Sequence, residues 1–308
     1  RDVERSRGLG DVYKRQEQKM KHYVKLVRPY LVWSMLMVVI PLLLIVIYSV
    51  TTGGNTLVNI QFTLTNFKKF AEPIYLQVFI KSFQIGLVTV FFCFLLGYVL
   101  AYNICKFSER AQSFMILLVT IPMWINTLLR TYAWISILSD NGIVNTILEK
   151  FGLDPITFMY TDFAVIIGMI SDFLPFMVIP IYTSLSKIDH SLIEAAHDLG
   201  ANNVQTFFKV VFKLSVPGVV NGVMITFLLS VSTFVIPKLL GGGQYMLIGN
   251  LIENQFISVG NWNFGSAISL ILAVVILIAI TVMRKLDPDD SKAVSYTHLR
   301  AHETSLHL

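Results

Sequence analysis

Residues 187–218 read KIDHSLIEAAHDLGANNVQTFFKVVFKLSVPG, a polar and patterned stretch between two long apolar runs. Ser191 followed by Glu194 has the spacing of a capping box, which places a helix start there. Leu192, Ala196 and Leu199 recur at helical spacing, with Ile193 beside them. Gly200 predicts the stop, because glycine takes the left-handed cap without strain. A second helix is expected from Asn202 or Asn203, with Val204, Phe207, Phe208 and Val211 on one face. Pro217 suits the first position of the long helix that follows. Two short amphipathic helices about a glycine turn make a knob whose apolar face needs a partner. The small pair Ala195–Ala196 lets another protein's surface come close.

Outward from this stretch the chain is almost continuously apolar. Of 308 residues, 55% are hydrophobic and only 14% charged, against about 45–50% and about 25% for soluble domains. The mean hydropathy is +0.66. A helix crossing a bilayer needs about 20 apolar residues, and six runs meet that length: Tyr30–Val50, Ser82–Cys105, Ala111–Leu138, Phe163–Leu185, Pro217–Leu240 and Phe264–Met283. The expected fold class is therefore an all-α membrane protein with six transmembrane helices. The first run ends without a small-x-small cleavage site and reads as an uncleaved span. Pro122, Pro175, Pro180 and Pro237 fall inside these runs and are read as kinks, since neighbouring helices and Ser/Thr hydroxyls re-satisfy the freed carbonyls.

Lysine and arginine set the orientation. Lys21, Lys25, Arg28, Lys106, Arg110, Lys187, Lys209, Lys213, Arg284, Lys285 and Lys292 fall on one side of the six runs, against Lys68, Lys69 and Lys150 (with Lys81 and Lys238 at span ends) on the other. Both termini and the 187–218 knob are thus expected to be cytoplasmic. The net charge of +5 fits this inner-side excess, and without a basic run interleaved with aromatics the balance does not indicate nucleic acid. Cys93 and Cys105 lie in one apolar run, about 18 Å apart along a helix, so they are packing residues and not a disulfide or metal pair. Residues 1–19 and 291–308, including His298, His302 and His307, are polar, aperiodic and unlike the body; they are expected to be non-native extensions flanking a six-helix transmembrane domain at 20–290.

Glu194-Ala195-Ala196, three residues, then Gly200 resembles the EAA loop (residues 187–216 here) of ATP-binding-cassette importer permeases. The family pattern continues with nine residues and Ile-x-Leu-Pro; this chain has Val210-Val211-Phe212-Lys213, so Lys213 stands where the proline would be. The resemblance implies the type I importer-permease fold and a loop docked in a cleft of a separate ATPase, with Glu194, Ala195, Ala196 and Gly200 as coupling residues. It also implies an ATPase dimer, a second permease chain and an extracytoplasmic substrate-binding protein as partners, and residence in the bacterial inner membrane. With no G-x-x-x-x-G-K-[ST] in the chain, ATP and Mg are expected on the partner ATPase, and no cofactor on this chain. The chain is expected not to be an enzyme.

Residues 121–138, 173–189 and 234–256 resemble the spermidine/putrescine branch of these permeases, with branches for iron(III), thiamine or phosphonate as the alternative. A cationic solute wants carboxylates and aromatic faces. Asp172 lies inside the fourth run, where a charge is costly and needs a cavity or partner. It meets either a substrate ammonium or Arg130 or Lys238, or is protonated. Arg130 itself reads as a snorkelling or partner-binding residue. Trp124, Tyr132 and Trp134 offer aromatic faces and Glu253 a second carboxylate, completing the candidate substrate pathway. A secondary transporter is the rival class, but the chain shows no internal repeat and few intramembrane charges. H-E-x-x-H and G-x-S-x-G are absent.

Overall fold

The computed structural model describes residues 27–52, 61–243 and 245–285. The extensions assigned to residues 1–19 and 291–308, and Lys21, Lys25 and Lys292 of the charge argument, lie outside the described residues. In chain order the helices are α1 (Val27–Ser49), α2 (Thr65–Phe70), α3 (Pro73–Ile104) and α4 (Glu109–Trp124). Then come α5 (Thr127–Leu138), α6 (Ile143–Lys150), α7 (Asp162–Leu185) and α8 (His190–Asp198). The last are α9 (Asn203–Ser232), α10 (Val235–Leu240), α11 (Ile248–Glu253) and α12 (Trp262–Lys285). A two-residue ribbon, Thr51–Thr52 (β1) against Gln61–Phe62 (β2), closes the end of α1.

Five of these helices, α1, α3, α7, α9 and α12, are each long and apolar enough to cross a membrane. The sixth crossing is a bent pair: α4 and the stretch beginning with α5 meet at 92°. The run Ala111–Leu138 is therefore not one straight span. Ile125 is extended, and the Asn126 side chain accepts from the Leu128 amide to start a new helix. Pro122 lies one turn before that break, whereas Pro175 and Pro180 sit inside a continuous α7.

The core is the mutual packing of α3, α7 and α9, which bury Cys93, Met169, Met177, Val178, Ile181 and Val231 almost completely. Between membrane helices there is little hydrophobic drive to associate, so close backbone approach matters. Gly218 and Gly222 of α9 supply it, one turn apart. A Cβ at Gly218 would lie 2.5 Å from the Pro180 carbonyl oxygen, and one at Gly222 2.9 Å from the Met177 sulfur. Cys93 and Cys105 are both free thiols, as a packing role requires. The helix α1 packs on α12 and leaves most of its apolar surface uncovered.

Span five departs most from expectation. It does not run Pro217–Leu240: α9 starts already at Asn203 and ends at Ser232, and Pro217 lies inside it. The second helix of the 187–218 stretch is therefore the root of span five and not a separate short helix. A π-helical turn at Phe207–Val211 absorbs the irregularity upstream of the proline. Hydroxyls of Ser215 and Ser184 donate to the carbonyls of Phe212 and Leu214 in the same turn. At the far end, extended Thr233 stops the helix and Pro237 falls in α10, outside the span.

Candidate functional site

The knob is built from α8, its glycine turn and the first turns of α9. The N-cap of α8 is Asp189, whose carboxylate accepts from the Ser191 amide at 3.0 Å, and not Ser191. Glu194 takes no part in that cap. The capping box belongs instead to α9, where Asn202 accepts from the Gln205 amide at 2.8 Å and Gln205 accepts from the Asn202 amide at 3.1 Å. Asn202 with Gln205 has the same spacing as Ser191 with Glu194, a match that the expectation of a box at Ser191 passes over. At the turn Gly200 has φ +85°. Its amide donates to the His197 carbonyl at 2.8 Å, and the Ala201 amide to the Ala196 carbonyl at 3.0 Å. This is the Schellman closure that the left-handed residue makes possible.

The outer face of the knob carries Leu199, 90% exposed, together with exposed Leu192, Val204 and Phe208. Glu194 and Ala195 are exposed and Ala196 half-buried. The inner face is separate. Ile193 and Phe207 pack on the core and Val211 is buried, so the face expected from Val204 to Val211 is divided between bundle and solvent. An aromatic weld joins this inner face to α3. The Phe207 ring lies 5.8 Å from Tyr98 and 5.2 Å from Tyr102, with Phe212 5.6 Å from Tyr98. The Tyr98 hydroxyl also pairs with the Ser215 hydroxyl at 2.9 Å. Behind the knob a cavity of about 580 Å³ is lined by Tyr102, Lys106, Glu109, Gln112, His190 and Ile193 among others. A push on the knob thus reaches α3 and α9 directly. Nothing in the sequence pattern linked Tyr98 and Tyr102 to Phe207.

The Ser191 amide, followed by its hydroxyl, holds the Asp189 carboxyl below the usual carboxylate range. A lowered folded-state pKa means the cap contributes fully above the unfolded value near 3.9 and is lost as pH falls through the folded value. Asp189→Ala is expected to speed amide hydrogen exchange in residues 190–199 at neutral pH, while Asp189→Asn, still an acceptor, leaves it near wild type. Equal protection in the alanine variant would refute the cap.

Half-way along the bundle, Asp172 of α7 is buried and paired with Arg130 of α5 at 3.1 Å. Of the alternatives open in the sequence, the partner here is Arg130, and Lys238 is engaged elsewhere. Arg130 Nη2 also reaches the Thr127 hydroxyl at 3.5 Å, while its Nε and Nη1 are buried with no hydrogen-bond partner among the described residues. Trp124, 88% exposed, and exposed Tyr132 face outward, and Trp134 is half-buried against the core. These aromatics are not gathered around Asp172 into one cage.

At the end of the bundle opposite the knob, Lys238 of α10 donates to Glu253 of α11 at 2.7 Å. Nearby, Lys81 of α3 pairs with Asp162 of α7 at 3.0 Å and lies 4.6 Å above the Tyr245 ring. Neither pair follows from periodicity: Lys81 and Asp162 lie in different spans, and Lys238 and Glu253, 15 residues apart, sit on two short helices that only the fold brings together. Among the described residues no group of three or more His, Cys, Asp or Glu could hold a metal ion.

Five apolar helices long enough to cross a membrane with a sixth, bent pair, an exposed knob rooted in one of them and a buried ion pair define a multi-pass helical membrane protein. Residues 20–289 match the binding-protein-dependent transport system inner membrane component, and the chain belongs to that family of inner-membrane proteins. It is 37% identical over 246 residues to the spermidine/putrescine transport system permease protein PotB of Escherichia coli (strain K12), which covers 79% of this chain and 90% of that protein. The counterpart in Haemophilus influenzae (strain ATCC 51907 / DSM 11121 / KW20 / Rd) is 36% identical over 253 residues, covering 81% and 88%. A chain of a bacterial alginate ABC transporter, crystallised in complex with an alginate pentasaccharide-bound periplasmic protein, matches with TM-score 0.75 over 91% of this chain and 98% of its own. At 17% identity that likeness shows the fold, the importer-permease fold expected from the EAA resemblance.

Proposed function

We propose that this chain forms the translocation pathway of an ATP-binding-cassette importer for polyamines such as spermidine and putrescine. The observation that carries the reading is the knob: an apolar surface held out by a glycine turn and welded through Phe207 to Tyr98 and Tyr102. Exposed Leu199 and Phe208 are suited to a cleft in a separate ATPase dimer, on which ATP and Mg reside. Glu194, Ala195, Ala196 and Gly200 are the coupling residues. Closure of the ATPases then moves α3 and α9 together, and the spans rock about the pathway.

A second permease chain and an extracytoplasmic binding protein complete the assembly, with both termini of this chain cytoplasmic. Identity of more than a third to the spermidine/putrescine permeases supports the polyamine. Glu253, Asp172, Trp124, Tyr132 and Trp134 are the pathway residues proposed for a cationic, partly aliphatic solute. The test is uptake into vesicles carrying the reconstituted four-protein system, supplied with labelled spermidine, putrescine or iron(III). ATP-dependent accumulation of the two amines and not of iron is expected; iron uptake without amine uptake would replace the substrate assignment.

A further inference from the structure

The Lys238–Glu253 pair is built unequally. The Glu253 side chain is only 17% exposed, while that of Lys238 is 53% exposed. Glu253 lines a groove of about 770 Å³ between α9, α11 and α12, walled by Leu228, Phe234, Ile252, Phe256 and Ile276, and it is the one ionisable side chain of that lining. The scaffold under it does not depend on the ion pair. The Asn250 side-chain amide donates to the Phe234 carbonyl at 2.7 Å, and the Ile248 amide to the buried Ser82 hydroxyl at 2.7 Å. Gly249 packs so closely that a Cβ there would lie 2.5 Å from the Thr233 carbonyl oxygen.

From this arrangement we propose that Glu253 is a station for one ammonium group of the transported amine, and that Lys238 is its tethered placeholder. This rests on the polyamine reading above. The charge complementarity is explicit: the carboxylate already holds a primary alkylammonium on a four-carbon stem, the chemistry of an aliphatic diamine's end. A half-exposed lysine is a weakly held partner. Release of Lys238 alone would leave a mostly buried carboxylate uncompensated, whereas exchange for an incoming ammonium would not. The methylene chain of the solute then lies along the apolar wall of the groove. With no solute present Lys238 keeps the carboxylate neutralised, so the placeholder is displaced only by a competing amine.

The test uses the reconstituted four-protein complex and labelled spermidine. Lys238→Met removes the competitor and is expected to lower the half-saturating spermidine concentration roughly three- to tenfold. Glu253→Gln is expected to raise it at least about tenfold, and the double variant K238M/E253Q to behave like Glu253→Gln. The charge swap K238E/E253K separates this role from a merely structural pair: a structural pair is restored by the swap, while a station for ammonium is replaced by a repelling lysine and uptake stays lost. Melting temperatures in detergent check that each variant is folded: Lys238→Met, which strands the Glu253 carboxylate, is expected to melt lowest, with K238M/E253Q closer to wild type because the independent braces remain. Wild-type uptake by the swap, or an unchanged half-saturating concentration in Lys238→Met, overturns the inference while leaving the polyamine reading intact. A wild-type complex that moves no spermidine overturns both.

Discussion

Arg130→Met is expected to destabilise the protein by about 3–5 kcal/mol, because it strands the Asp172 carboxylate in the middle of the bundle without a counter-charge. The pair is 3.1 Å apart, and the side chains are only 14% and 5% exposed. Removing one partner of such a pair leaves the whole desolvation penalty of the other, far more than the net worth of the interaction. The companion variant sharpens the argument. Replacing both, as R130M/D172L, removes the two desolvation costs together and is expected to recover most of the loss. Arg130 also brings two buried guanidinium nitrogens without partners among the described residues, so the wild-type pair is far from ideal. Thermal unfolding of the purified chain in detergent reads both effects. An Arg130→Met variant that melts with wild type would mean that Asp172 is neutral or hydrated. A double variant that is stable yet transports nothing would assign Asp172 a direct role toward the solute.

The second large effect lies on the knob. Leu199→Glu is expected to reduce association with the ATPase by well over tenfold while membrane insertion is unchanged. Leu199 is 90% exposed in this chain; burying a leucine side chain contributes about 1.5–3 kcal/mol, and each 1.4 kcal/mol is a factor of ten. A carboxylate in its place forfeits that contribution and adds the cost of burying a charge. No span packs on this outer face, so folding is spared. Gly200 tests the same element by a different route. Nothing lies within 4 Å of a Cβ built there, so space is not the constraint; the φ of +85° is. Alanine is expected to cost about 1–2 kcal/mol, asparagine less, and a β-branched valine more, with loss of ATPase binding following that order. Stoichiometric recovery of the ATPase with the Leu199→Glu chain would remove the knob from the coupling route.

Some of this was written locally in the residues. The EAA spacing, the glycine turn and the start of α7 at the fourth apolar run were legible, since each depends on neighbours within one or two turns. Gly218 and Gly222 have small-xxx-small spacing, but their role depends on α9 running through Pro217, which the local pattern marks as a helix start. The capping box was misplaced because two acceptor-bearing pairs, Ser191 with Glu194 and Asn202 with Gln205, have the same spacing. Nothing within either pair distinguishes them.

What the sequence determined by itself is the set of crossings and the one protruding loop. Lipid requires every backbone group to be satisfied within its own helix, and that demand is written as long apolar runs. What only the tertiary structure decided is how those runs are cut and paired. The 92° break after Trp124, the extension of span five back to Asn203 around Pro217, and the partners of Asp172 and Glu253 all depend on side chains distant in the chain. A helix ends or a charge is tolerated where a neighbouring element supplies the missing hydrogen bond or counter-ion, and which neighbour does so is settled by three-dimensional packing, not by periodicity along one segment.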